Sequence, residues 1–383
     1  MTNQVIKEFN TTGPCVPSQH YMIPVLQRLP DVEDMIQDER YFIISAPRQS
    51  GKTTYLLALT EQINLSGRFH ALNCSLETLD GIVEREAGIE AILSQIHYSI
   101  SRSHIKKLIS FSENYTPLPH LNYTSTVKSL LNHICDNLDK EVIIFFDEAD
   151  CLSVDPLITF LRQIRLGYNT RCGKNRLTFP RSLALSGMRD IRDHLRNIHP
   201  DSISSGVASI FNFKTEALTL SNFTRHEINT LYNQHTEACG QIFEPEAVER
   251  AYYWSEGQPW LVNALAYEIV VKILKNNYTA PVTKDLMDQA AEAIIKNRQT
   301  HIDSLMERLQ DPRVVTIMDS VFAGTLCKVL KNSDDYRYCL DLGLVVEDEN
   351  RNLRPANAIY REVMSRSASD EFQSAIDNKI SEI

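Results

Sequence analysis

The chain has 383 residues, 43% of them hydrophobic and 23% charged, and a formal net charge of −10. This length points to more than one domain, and the balance of apolar and charged residues excludes a fibrous or wholly disordered chain. The acidic excess opposes nonspecific attraction to nucleic acid, and the longest apolar runs, such as Val142-Ile143-Ile144-Phe145-Phe146, fall far short of the roughly 20 residues a membrane span needs.

The first eight residues lack the basic-then-apolar order of a signal peptide, and the eight cysteines show no CxxC spacing. A reducing, cytoplasmic setting without a zinc site is the expectation. Residues 1–40 carry turn formers around Gly13-Pro14-Cys15-Val16-Pro17 and precede the first strand, 41–46. A loop and a helical pattern over 53–65 follow. Further strand-like runs fall at 68–74, 141–147, 182–186 and 216–220, separated by helical stretches. Strands alternating with helices predict a parallel sheet covered on both faces.

From 222 to 309 the pattern is helical only, at 224–239, 245–254, 259–274 and 284–309, and this reads as a lid. Residues 311–366 hold short helices and then a hairpin-like stretch from Leu344 to Arg354, which suggests a winged-helix module. The polar tail, 367–383, predicts a mobile helix. The expected domains are therefore an N-terminal extension (1–40), a core (41–221), a lid (222–310), a winged helix (311–366) and the tail.

Ala46-Pro47-Arg48-Gln49-Ser50-Gly51-Lys52-Thr53 matches the phosphate-binding loop GxxxxGK[ST], with Ala in place of the first Gly. Gly51 allows close approach of the backbone, and helix-start amides face the anion. Lys52 would meet the β- and γ-phosphates of a nucleoside triphosphate, and the Thr53 hydroxyl would ligate Mg²⁺. The run Val142 to Glu148 then delivers two carboxylates at the end of a buried strand. Asp147 would hold Mg²⁺ directly or through water, and Glu148 would polarise the attacking water. The plainer alternative is that both merely cap the next helix.

Asp147-Glu148-Ala149-Asp150 also spells the tetrad of a large helicase class, but the loop is not of the helicase form and no second sheet domain follows. Ser186, ending the next strand, is placed to hydrogen-bond the γ-phosphate or the water. Arg189 or Arg192 would neutralise developing charge, with a surface salt bridge as the alternative for each. No guanine-reading Asn-Lys-x-Asp occurs where a GTPase carries one, which leans toward ATP.

With these residues in hand, the chain resembles the AAA-like P-loop ATPases of bacteria, related to the STAND signalling NTPases. The resemblance rests on Phe9 to Pro17 with His20-Tyr21, Ala46 to Thr54, Ser186-Gly187-Met188-Arg189-Asp190, Gly257-Gln258-Pro259-Trp260-Leu261-Val262-Asn263 and Arg298 to Leu305. Asp341-Leu342-Gly343-Leu344-Val345 and Pro355 to Val363 complete it. It implies a strand order 5-1-4-3-2, a helical lid, a C-terminal winged helix and a bacterial or mobile-element source. It also implies nucleotide contacts from Pro47, Arg48, Gln49, Ser50, Gly51, Lys52, Thr53 and Thr54, and base contacts from Gly257 and Pro259.

Trp260 would stack on the base or pack in the core. His20 and Tyr21 would clamp adenine or simply pack, and Arg189 would sense the γ-phosphate. Classical ring-forming motors carry a lid arginine where this chain has Gln258-Pro259-Trp260. Arg298, His301 and Asp303 read as a solvated helix face or an interdomain seam. The function implied is an ATP-hydrolysing, Mg²⁺-dependent switch acting on a protein partner or on itself, with a DNA-associated ATPase as the alternative. Between 311 and 366 eight Lys/Arg face nine Asp/Glu, which does not favour DNA.

Overall fold

The computed structural model describes residues 6–103, 105, 122–171, 178–188, 215–297, 309–322, 333–350 and 352–366. Two compact units emerge. The sheet unit comprises Pro24–Pro47 and Lys52–Leu220, and the helical unit comprises Met1–Ile23, Arg48–Gly51 and Ser221–Ile383.

In the sheet unit, a short helix α1 (Val32–Gln37) leads to β1 (Tyr41–Ser45), α2 (Lys52–Ser66) and β2 (His70–Ser75). Helices α3 (Arg85–Ser101) and α4 (Thr126–Asn137) precede β3 (Val142–Asp147). Then come α5 (Val154–Arg171), β4 (Ser182–Gly187) and β5 (Thr215–Thr219). The strands form one parallel sheet in the order β2-β3-β4-β1-β5, the order expected from the resemblance read from its other edge.

Strand β3 is buried at every position, as a central parallel strand covered on both faces requires. Its side chains alternate between two cores. Ile143 and Phe145 pack with Phe42, Ile44, Tyr55, Leu56 and Ala184 on the α2 face, whereas Val142, Ile144 and Phe146 pack with Ile92, Leu131 and Phe160 on the other. Continuing that alternation, Asp147 and Ser186 fall on the α2 face. Ser75 is in register with Asp147, and Ile44 with Ser186, so the polar ends of these strands share one edge of the sheet.

The helical unit contains α6 (Arg225–Cys239), α7 (Pro245–Ser255), α8 (Pro259–Tyr267), which runs on as a wider π-helical turn over Glu268–Ile273, and α9 (Lys284–Lys296). Each start carries a sequence-encoded stop or cap. Thr224 and Glu227 close a capping box on α6, Pro245 and Pro259 occupy first turns, and the Thr283 side chain caps α9. The helical pattern over 284–309 does not continue unbroken, because α9 ends at Lys296 with Asn297 as its C-cap. After α10 (Pro312–Phe322) and α11 (Asp334–Asp341), β6 (Val345–Glu347) and β7 (Leu353–Pro355) pair antiparallel. Asp348 Oδ1 accepts from the amides of Asn350 and Asn352, both at 2.8 Å, which tightens the turn between them.

Residues 6–23 are built into this helical unit. Phe9 and Tyr21 enter an aromatic cluster with Tyr232, His235 and Phe243. Gln241 Nε2 donates to the Ala280 carbonyl at 2.8 Å, which turns its Oε1 toward His235 Nε2 at 2.9 Å. That ring nitrogen then carries the proton, and Nδ1 accepts from the Tyr21 hydroxyl at 3.1 Å. Burial lowers the His235 pKa, which keeps the ring neutral. The Tyr21 hydroxyl also accepts from the Lys7 amide at 3.2 Å.

Tyr21→Phe strips both groups of their partner inside a packed core, and we expect a loss of about 1–3 kcal/mol. Urea unfolding measures it, with Tyr278→Phe, whose hydroxyl is on the surface, expected to change stability by less than about 0.5 kcal/mol.

Candidate phosphate and metal site

The loop after β1 turns back by backbone conformation. Gln49 adopts φ 58° and Gly51 φ 92°, so two of its residues occupy the left-handed region before α2 opens at Lys52. This arrangement leaves the first amides of a 15-residue helix without intrahelical partners and at the positive end of its dipole, the standard setting for an anion. Arg48 and Gln49 are exposed, Ser50 is buried, and Thr54 sits in the first turn of α2. Lys52 is 8% exposed, and its ammonium donates to the carbonyls of Ala46 at 2.6 Å and Pro47 at 2.9 Å. The cation is therefore held beside the loop by the loop's own backbone.

Thr53 Oγ1 donates to Asp147 Oδ2 at 2.6 Å, and Asp147 Oδ1 accepts from the Glu148 amide at 3.0 Å. Both carboxylate oxygens are thus oriented, and Asp147 is 1% exposed. A hydroxyl and a carboxylate oxygen at this spacing form a hard donor pair of the kind Mg²⁺ takes, with water and phosphate completing its shell. Thr53 and Asp147 fit the ion on the chemistry of their oxygens.

Glu148 follows in the left-handed region (φ 55°, ψ 42°), a conformation that costs a non-glycine residue about 1–2 kcal/mol and turns the chain sharply off the strand. Its carboxyl is half-buried, and its pKa is pushed up to about 7, first by burial and then by the Glu77 and Asp147 carboxylates. Lys52 opposes the shift, and Asp150 adds to it. Ser186 Oγ is fully buried and has no hydrogen-bond partner among the described residues, and the same holds for Asn73 Oδ1 on β2. An orphaned hydroxyl at the ligand edge of a parallel sheet is what a phosphate oxygen or its water would satisfy.

The structure therefore brings Lys52, Thr53, Asp147, Glu148 and Ser186 together in the sheet unit. Arg189 and Arg192 lie outside the described residues, as do Arg298, His301 and Asp303. Gly257, Pro259, Trp260, His20 and Tyr21 belong to the helical unit. There Gly257 has φ +75°, and a Cβ on it would lie 1.9 Å from the Phe223 carbonyl oxygen. Pro259 is the first residue of α8. Trp260 is 9% exposed and donates from Nε1 to the Thr11 carbonyl at 2.8 Å, while His20 Nδ1 accepts from the Val16 amide at 2.8 Å. Tyr21 is 2% exposed, its ring spent on packing.

Glu77 and Asp150 were not singled out as site residues by the sequence reading. Glu77 opens the short turn after β2 and lies in no motif, whereas Asp150 stands in plain view as the fourth residue of the acidic tetrad.

No protein-family model matches the sequence, and no curated protein sequence matches it. Among solved structures the chain is similar to the Walker-type ATPase PABY2304 of Pyrococcus abyssi, at 15% identity and a TM-score of 0.63, over 93% of this chain and 99% of that one. It is also similar to the ORC2 protein of Aeropyrum pernix in its ADPNP-ADP complexes, at 15% identity and a TM-score of 0.52, over 93% of this chain and 97% of that one.

Two stability predictions follow from the geometry. Glu148, raised from 4.5 to about 7, binds more protons folded than unfolded, so its contribution to stability is fullest below about pH 4.5 and is lost as pH rises through about 7. Between pH 5 and 7.5 the thermal midpoint of the parent should fall relative to that of Glu148→Gln. Ser186→Ala removes a buried hydroxyl that has no partner among the described residues, and calorimetry should find it neutral or stabilising by up to about 1 kcal/mol. The observed sheet order and the loop that enters α2 at Lys52 give this chain an α/β fold with a five-stranded parallel sheet, the fold it shares with the Walker-type ATPase structure to which it is similar.

Proposed function

We propose that this chain binds ATP with Mg²⁺ and hydrolyses it, and that the nucleotide state sets a conformational switch read by a protein partner or by a second copy of the chain. The observation that carries the hydrolytic reading is the convergence, on one sheet edge, of a buried lysine, a threonine–aspartate oxygen pair and a half-buried glutamate. Lys52 and the loop amides would bind and orient the β- and γ-phosphates. Thr53 and Asp147 would hold the metal ion, which when bound neutralises phosphate charge. Glu148, as a carboxylate, accepts the proton of the water it orients, and Ser186 fills its empty hydrogen-bond position with a phosphate oxygen or that water. Arg189 is proposed to neutralise the charge that develops on the phosphoryl group.

The switch reading is supported by how the connecting segment is anchored at each end. The Leu220 amide donates to the Ser45 carbonyl at 3.1 Å, at the strand end from which the phosphate loop departs. A few residues on, Asn222 Nδ2 donates to the Glu256 carbonyl at 3.1 Å and the Phe223 amide to the Gly257 carbonyl at 2.7 Å, in the turn that starts α8. Each end of the connecting segment is thus tied within its own unit, and in the switch reading the chain itself carries a shift at the end of β1 onward. The residues after Asp311 are proposed to form a winged helix. Arg225, Arg250, Arg354 and Arg366 each face a carboxylate, at 3.1, 2.5, 3.1 and 2.8 Å, which supports the protein-partner reading over a cationic surface for DNA.

Steady-state ATPase assays of the purified chain test this reading. Glu148→Gln should keep nucleotide affinity and lose about 10²–10³-fold in kcat, Lys52→Ala should lose at least about tenfold in affinity, and duplex DNA should leave the rate unchanged. Equal turnover of parent and Glu148→Gln would refute the role given to Glu148. Stimulation by DNA would replace the protein partner with nucleic acid.

A further inference from the structure

The fourth residue of the acidic tetrad has a task that the hydrolytic set leaves unassigned. Asp150 lies in the short helical turn Ala149–Cys151, directly after Glu148, and its Oδ2 accepts from the Met188 amide at 2.9 Å. Met188 follows the last residue of β4, so this bond ties the carboxylate loop after β3 to the end of the neighbouring strand. Gly187 makes the approach possible. A Cβ on Gly187 would lie 2.6 Å from Asp150 Oδ1 and 2.8 Å from its Cγ, and no left-handed backbone angle calls for glycine there. The glycine is needed for space alone.

The same two residues reach the phosphate loop. The Gly187 carbonyl accepts from the Ala46 amide at 3.2 Å, and the Ala46 carbonyl accepts from Lys52 Nζ at 2.6 Å. A continuous series therefore runs from the Glu148–Asp150 turn through Met188 and Gly187 to Ala46 and Lys52, with the buried Ser186 hydroxyl immediately before the junction. We propose that Asp150 is a positioning residue. It braces the end of β4 against the Glu148 turn, so that Glu148, Ser186 and the start of the phosphate loop hold one mutual geometry. Its contribution to this geometry is the accepted hydrogen bond, which an uncharged acceptor can also supply.

This rests on the hydrolytic reading, so the test has one arm that needs no turnover. Full-length parent, Asp150→Ala, Asp150→Asn and Gly187→Ala are compared for ATPase kinetics, ADP affinity and hydrogen exchange at the Met188 amide. Asn retains an acceptor oxygen and loses the charge, whereas Ala loses both; Gly187→Ala forces the partners apart from the other side.

The expected result is that Asp150→Ala and Gly187→Ala each lower kcat by about tenfold or more while KM and ADP affinity stay within about threefold. Met188 exchange should be about tenfold faster in Asp150→Ala, and Asp150→Asn should remain within about threefold of the parent in both readouts. Unchanged Met188 protection in Asp150→Ala would refute the brace. Faster exchange with kcat within about twofold of the parent would refute its link to chemistry. Asp150→Asn as slow as Asp150→Ala would assign the effect to charge and overturn the proposal. If the parent itself turns over no ATP, the hydrolytic reading fails, and Met188 exchange alone decides whether the brace exists.

Discussion

The site depends on one hydrogen bond between residues 94 positions apart, from the Thr53 hydroxyl at the start of α2 to the Asp147 carboxylate at the end of β3. It forms only if β1 and β3 run parallel and end level, because α2 departs from the loop after β1. The parallel register supplies this, with β4 inserted between the two strands and in pair with both. Burial of β3 on both faces enforces it, since a slip of one residue would drive Asp147 off the α2 face and bring apolar side chains to the wrong core.

Around that bond the protein concentrates features that cost stability. Gln49 and Glu148 occupy left-handed backbone conformations, Ser186 buries a hydroxyl without a partner among the described residues, and Glu148 is pressed toward neutrality by burial and by neighbouring carboxylates. Each cost is of the order of 1–3 kcal/mol for such features. They cluster at one sheet edge and are held by two apolar cores, one on each face of the sheet. Strain gathered at one place and over-determined by its surroundings is the usual mark of a preorganised site.

Much of this architecture was legible because it is local or periodic. The run Val142 to Phe146 is apolar at every position, which singles out a doubly covered strand, and GKT between a strand and a helix carries its own context. The helical patterns opening at 224 and 284 fall where the structure starts α6 and α9, behind the side-chain caps Thr224 and Thr283. Helix α9 was over-extended because the pattern gave no break at Lys296. The N-terminal segment resisted the reading for another reason. Phe9 and Tyr21 mean little until Tyr232, His235 and Phe243 are folded around them, and their positions in the chain lie more than 200 residues away.

Sequence alone determined that a GKT segment stands between β1 and α2, that two carboxylates end β3 and that strands alternate with helices, since each is written in contiguous residues whose chemistry is local. Tertiary structure decided the rest. That Glu148 carries a raised pKa depends first on its burial and then on Glu77 approaching it from the turn after β2, and that Asp150 meets Met188 depends on Gly187 lacking a side chain at that distance. Both facts are relations between strands that pair through space. A hydrogen bond or a field is set by distances of a few ångströms, and only the folded sheet brings residues that far apart in the chain to such distances.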